Sequence, residues 1–351
     1  MTRQTWTALV SALLFVALAV PLAILPVPFV AWSPGGTADV LGDVDGRPLI
    51  SVQGVPTFPT GAGQLDLTVV SGTSADSRLT LPEALAAYWL PGRDTLPRDA
   101  VFPPGQSADD VTKAEAQMME TSQDDAVVAA LRAAGEPVQQ MPAVSSVTVG
   151  GPAYGKLLPG DLIESVDGVH TPSADAVGDQ IRGHRPNEPV DFVVLRDRVK
   201  TNVKVIAAES ATDPGVAVVG ITIGQGYAYL PRITFDLGQK IGGPSAGLVF
   251  ALGIYDKITA GELLAGRNVA GTGTITPSGD VGSIGGVRQK LASAERAGAT
   301  VFFVPSGNCA DLTGVRTDLT VVKVSTLGEA ISQLGVLSVP GGQERVNRCD
   351  G

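Results

Sequence analysis

The chain opens on an apolar run and only afterwards begins to alternate. No charged side chain occurs between Gln4 and Ala38, and Trp6 to Trp32 gives 27 almost unbroken apolar residues. About 20 helical residues span the roughly 30 Å hydrocarbon core of a bilayer, so the segment is long enough to cross one. Pro21, Pro26 and Pro28 should kink or end the helix, which puts its regular part at about Thr5 to Leu25. Further on, Leu65 to Val70 alternates as a half-buried strand would. Between Asp110 and Ala134 apolar and small residues recur at helical spacing, and Gly135 offers the stop. Residues 138–208 then carry short strand patterns: Val147 and Val149, Leu162 to Val166, and Val190 to Leu195. Asp167-Gly168 between apolar runs is a hairpin signal, and Ser173 can cap a helix holding Val177 and Ile181.

Charge gives the first segment an orientation. Arg3 and the α-amino group precede it, while Asp39, Asp43 and Asp45 follow, so the positive-inside bias places the short end in the cytoplasm and everything after Ser33 outside. A cleaved signal peptide with Ala17-Leu18-Ala19 as its site is the alternative. It would leave the apolar stretch from Val20 to Trp32 exposed to water, so an uncleaved single-pass anchor over residues 1–34 is expected. An exoplasmic location permits a disulfide between Cys309 and Cys349; two free thiols are the other possibility, since nothing in the sequence places them within bonding distance.

Composition narrows the function. Lys and Arg total 25 against 35 Asp and Glu, a net charge of −10, so the chain lacks the basic surface that displaces counterions from nucleic acid, which is not an expected partner. With two histidines, His170 and His184, and two cysteines, little remains for transition-metal sites, and no cofactor is expected. Gly243-Pro244-Ser245-Ala246-Gly247 formally fits the G-x-S-x-G nucleophile elbow. No histidine follows Ser245, so the order Ser, acid, His fails on a count.

A serine without histidine needs another base, and a neutral lysine is the usual substitute. No S-x-x-K occurs, and eight lysines are available. Lys240 and Lys257 flank the serine segment, and Lys257 stands beside Asp256. Lys290 is the better candidate. Gly285-Gly286 releases the chain into a helix whose first turn carries the amine, where burial and the positive end of the helix dipole both disfavour the ammonium form. Pro244 is expected in the first turn of a helix that also holds Ser245, with helix-start amides as an oxyanion hole. Gly271 and Gly273 read as points of close backbone approach, and Ser278-Gly279-Asp280 as a hairpin turn.

Two resemblances rest on these residues. Val149-Gly150-Gly151-Pro152-Ala153, Gly155-Lys156-Leu157, Pro159-Gly160-Asp161-Leu162-Ile163 and Val166-Asp167-Gly168 resemble the core signature of bacterial PDZ domains, which bind extended peptides by strand addition. A PDZ fold that only packs on its neighbour is the alternative. Ile241 to Gly247, Val269 to Thr276, Gly279-Asp280-Val281, Ile284 to Val287 and Gln289 to Ala292 resemble the proteolytic domain of Lon proteases, as do Ala297-Gly298 and Val301 to Pro305. By that resemblance Ser245 is the nucleophile, Lys290 its base, and Thr272 the threonine that hydrogen-bonds the lysine. Lon enzymes often carry an acid three residues before the serine, and here that residue is Gly242. No Gly-x-x-x-x-Gly-Lys-Ser/Thr is present, so no ATPase motif accompanies the domain.

Anchor, PDZ-like module and Lon-type domain together resemble the membrane-anchored, ATP-independent YlbL-type proteases of bacteria. The expected architecture is an α/β (α+β) Lon-type proteolytic domain, a small mostly-β PDZ domain and one N-terminal transmembrane helix. Its boundaries are 1–34 for the anchor and 35–137 for a Gly/Pro-rich region that completes the protease sheet. The PDZ module follows at 138–208, the proteolytic domain at 209–340 and a tail at 341–351. Implied partners are protein or peptide substrates and the membrane, with a homo-hexamer by the Lon resemblance. The rival from another class is a catalytically inert, PDZ-based binding scaffold on the same fold.

Overall fold

The computed structural model describes residues 2–44, 46–74, 76–103, 105–237 and 242–349, so Lys240 and Ile241 lie outside the described residues, as do the last two of the tail. Two compact units emerge, Met1–Gly135 with Pro231–Gly351, and Glu136–Leu230. The second is an insertion in the first.

The first unit begins with the helix Arg3–Ile24, none of whose residues is buried, with Pro21 inside it. Pro26–Val27 follows, and Phe29–Asp39 then enters a six-stranded mixed sheet. From one edge to the other its strands are Thr320–Val324, Val301–Pro305, Asn268–Gly271, Gln64–Gly72, Phe29–Asp39 and Asp94–Pro97. The first four run parallel, and Phe29–Asp39 pairs antiparallel with its neighbour on either side. The Gly/Pro-rich region thus supplies a central strand of this sheet.

That centrality changes one expectation. Leu65 to Thr68 are all buried, where alternation had suggested one wet face, because the helices Gly247–Ile258 and Val287–Arg296 both pack against this strand. Asp66 carries the cost: burial, with the Asp39 carboxylate beside it, pushes its pKa up to about 6. Gly247–Ile258 is apolar on nearly every side and accordingly almost wholly buried.

The long helix expected near 110–134 runs Ala108–Ala133, opened by a Ser107–Asp110 capping box and followed by Gly135 at φ +77°. Ser278-Gly279-Asp280 does turn between two paired strands, Thr274–Ile275 and Val281–Gly282. Cys309 and Cys349 are joined, with Cα atoms 5.3 Å apart and a separation of 40 positions in sequence. Cys349 packs on the cluster that holds Phe302, Val304 and Leu291. Reducing this bond is expected to lower the unit's stability by about 4 kcal/mol through the entropy returned to the unfolded chain. Urea midpoints with and without reductant measure it, and unchanged midpoints would contradict it.

The second unit is a five-stranded sheet in the order Val199–Ile206, Pro189–Arg196, Leu162–Val166, Val138–Val147, Ile221–Tyr229, with Val169–His170 added to the third as a short hairpin arm. Asp167 at φ +51° and Gly168 at φ +75° make the expected two-residue turn. Ser173 caps the helix Ala174–Arg182, whose Val177 and Ile181 enter a core with Phe192, Val194 and Ile163. The unit does not stop near 208. Ile221–Tyr229 pairs along the whole of Val138–Val147, so the fold closes only at Leu230.

Candidate active site

Ser245 lies between a left-handed glycine and a helix. Gly243 has φ +85°, and the helix begins at Gly247 with Ala246 as its N-cap, so neither Pro244 nor Ser245 is inside the first turn as expected. The tertiary framework rather than helix geometry therefore holds the serine. Ser122 Oγ donates to Pro244 O at 2.9 Å, and Gly243 N donates to Glu115 O at 3.3 Å. Gly273 N and Thr272 Oγ1 both donate to Ser245 O, at 2.9 and 3.1 Å. Among the described residues, the amides of Ser245 and Ala246 donate to no protein group.

Lys290 reaches the serine from the helix Val287–Arg296. Its N-cap, Gly286, sits at φ +69°, and a Cβ there would lie 2.8 Å from Val70, so a residue without a side chain is needed to turn this helix beneath the central strand. The lysine is 4% exposed; Nζ donates to Ser245 Oγ at 2.5 Å and to Thr272 Oγ1 at 3.0 Å. Burial pulls its pKa down from 10.5 to about 8. No carboxylate pairs with it among the described residues. At neutral pH about one amine in ten is therefore uncharged and able to accept a hydroxyl proton.

Thr272 bonds both members of the pair. Its hydroxyl hydrogen is committed to the Ser245 carbonyl, so toward Lys290 it can only accept. One amine hydrogen is thereby directed at Thr272, and the neutral form keeps its lone pair and one further hydrogen for its other neighbours, Ser245 Oγ among them.

A cleft of about 480 Å³ opens beside the pair. Trp32, Val70, Met118, Met119 and Ile284 give it apolar walls, with Glu115 as its carboxylate. Sequence reading missed this wall: Met118 and Met119 belong to a helix whose pattern signals only packing. Glu115 also bears on the glycine that replaces the usual acid, since a Cβ at Gly242 would stand 3.3 Å from Glu115 Oε2. Asn308, likewise unforeseen, clasps Ile284 by accepting from its N–H and donating to its carbonyl, both at 2.9 Å.

The remaining candidates stay apart from this cluster. Lys257 ends the helix after Ser245, next to Asp256, and does not line the cleft. Both histidines belong to the second unit, where His184 Nε2 lies 3.1 Å from Asp167 and His170 Nδ1 bonds the Glu164 carbonyl. Among the described residues no three His, Cys, Asp or Glu side chains converge as metal ligands would.

Residues 239–336 match the family model of the Lon protease (S16) C-terminal proteolytic domain. The chain carries a Lon-type peptidase domain. Residues 118–206 match a PDZ domain, although 118–135 of that match belong to the first unit, 118–133 of them to its long helix. The Lon-type region is 33% identical over 102 residues to Lon protease 2 of Syntrophobacter fumaroxidans, covering 28% of this chain and 12% of that protein. It is 41% identical over 93 residues to Lon protease 2 of Herpetosiphon aurantiacus, covering 25% and 11%. The chain thus spans about an eighth of the length of these relatives. Among solved structures, the PDZ domain of an SdrC-like protein from Listeria innocua aligns at 27% identity over 23% of this chain and 90% of that one, with a TM-score of 0.21. Its counterpart from Listeria monocytogenes aligns at 24% identity over 24% and 86%, with a TM-score of 0.22.

Proposed function

We propose that the protein is a membrane-anchored serine endopeptidase that cuts extracytoplasmic polypeptides without ATP, using Ser245 as nucleophile and Lys290 as its base. The observation that carries this reading is the 2.5 Å contact between a buried, unpaired amine and the serine hydroxyl at the rim of an open cleft. Neutral Lys290 takes the Ser245 proton as Oγ attacks the peptide carbonyl. The amides of Ser245 and Ala246 receive the oxyanion. The protonated amine then gives its proton to the departing amino group, and water, activated by the same lysine, resolves the acyl-enzyme.

The PDZ domain would select substrates, an extended peptide adding alongside Ile221–Tyr229, the last strand in the sheet order among the described residues, beside the helix Ala174–Arg182. Localisation outside the cytoplasm follows from the charge flanking the anchor, and assembly as a ring of six from the Lon resemblance. The full chain in lipid nanodiscs is expected to digest an unfolded protein without nucleotide. A fluorophosphonate probe should label Ser245 alone; labelling elsewhere, or cleavage that needs added ATP, would refute the reading.

Thr272 is a positioning residue in this scheme. Thr272→Val keeps its shape but removes the acceptor for Lys290, and kcat is expected to fall about 100-fold with KM unchanged. Thr272→Ser should restore most of the rate. Equal losses in both variants would show that the methyl packing matters and the hydroxyl does not.

A further inference from the structure

The short helix Leu81–Trp89 is built inside out for a protein in water. The residues it buries, Ala84 and Ala87, are small. The bulky ones face solvent: Trp89 is 73% exposed and Tyr88 67%, with Leu85 and Leu90 also exposed beside them. Large apolar and aromatic side chains gathered on one outward face mark an interaction surface. Exposed Arg78 and Arg93 bracket the helix in sequence, a distribution suited to anionic headgroups.

Its place in the fold names the occupant. Pro26–Val27, the first strand after the anchor helix, pairs with Leu79–Thr80, the residues that run directly into this helix, in the register Pro26 to Thr80 and Val27 to Leu79. Paired strands stand about 5 Å apart, so the helix starts within that distance of where the chain leaves the anchor. The anchor helix itself touches Leu81–Trp89. A nine-residue helix is about 14 Å long, so none of it can lie far from a membrane the anchor crosses.

We infer that Leu81–Trp89 lies in the headgroup–acyl boundary of the outer leaflet, with Leu85, Tyr88, Trp89 and Leu90 inserted, as a second and peripheral membrane contact. The inference rests on reading Arg3–Ile24 as a span. An aromatic face beside a span is the composition of an interfacial anchor, and burying it there removes the exposed patch without a protein partner.

The three tryptophans separate the two readings. Trp6 reports the span, Trp89 the short helix, and Trp32 the sheet. Full-length variants each keeping a single tryptophan, with Phe at the other two positions, are placed in vesicles of phosphatidylcholine and phosphatidylglycerol containing lipid nitroxide-labelled at the headgroup or brominated high on the acyl chain. Trp89 emission should drop about threefold or more with either label, Trp6 should be quenched as well, and Trp32 should hardly change. Quenching of Trp6 without Trp89 overturns the inference and leaves the anchor standing; loss of both overturns both. Blue-shifted but unquenched Trp89 would mean that another protein surface covers it, and likewise overturns the inference.

Because the Phe substitutions could disturb packing, hydroxyl-radical footprinting of the unsubstituted protein in nanodiscs provides a second readout. Tyr88 and Trp89 should be oxidised at least about fivefold more slowly than Tyr154, which is similarly exposed. Equal oxidation would sink the proposal.

Discussion

Peptide hydrolysis is expected to fall by about 10⁴-fold or more in both Ser245→Ala and Lys290→Met, the scale on which members of a catalytic unit fail when removed singly. The double variant should be no worse than either single one, since attack at Oγ and removal of its proton are one event. Met suits position 290 because its length fills the buried channel without an amine. Either variant retaining more than a few per cent of the activity would exclude the Ser–Lys pair and favour the inert scaffold. Circular dichroism and an unchanged Cys309–Cys349 bond serve to separate lost chemistry from lost fold.

The pH profile is the second large effect. With the Lys290 pKa pulled down to about 8, kcat/KM should climb about tenfold per pH unit below that value and level off above it. From pH 6 to pH 9 the gain is about 90-fold. A profile flat across this range, or falling, would rule out a neutral amine as the base.

Stability carries the same signature with a definite sign. The folded pKa lies below the 10.5 of an unperturbed lysine, so between about 8 and 10.5 the unfolded chain binds more protons and the fold gains stability as pH rises. Below 8 the amine is charged in both states and the full burial penalty applies. Lys290→Met removes a penalty of about 3 kcal/mol at pH 7, so the inactive variant should melt higher than the active protein. An unchanged or lower melting temperature at pH 7 would contradict the burial.

Much of this architecture was legible along the chain, and the exceptions have physical causes. The apolar N-terminal helix, the 108–133 helix, the Asp167-Gly168 turn and the paired glycines before Lys290 each depend on local rules, and each appears within a few residues of where those rules put it. Ile221–Tyr229 escaped because Gly224 and Gly226 interrupt its alternation. They are glycines for a tertiary reason: a Cβ at Gly226 would stand 2.3 Å from Leu162, and one at Gly224 2.3 Å from Ser145. Gln64–Gly72 looked half-wet because Asp66 and Thr68 are polar, yet both are buried, Thr68 bonding the Gly271 carbonyl. The cleft was less readable than the pair beside it. Glu115, Met118 and Met119 meet Ser245 across more than a hundred residues of chain, a distance that no local pattern encodes.

The strand that follows the anchor has a mechanical consequence. Only Leu25 to Pro28 separate the end of the anchor helix from Phe29–Asp39, which is held between Gln64–Gly72 and Asp94–Pro97. With Arg3–Ile24 read as a span, as proposed above, tension between bilayer and this unit enters along a strand axis, and ladder bonds perpendicular to that axis bear it together in shear instead of parting one at a time. The same strand carries Trp32 to the cleft wall. Under the proposed anchoring, a pull on the tether is thus borne by the element that shapes the cleft.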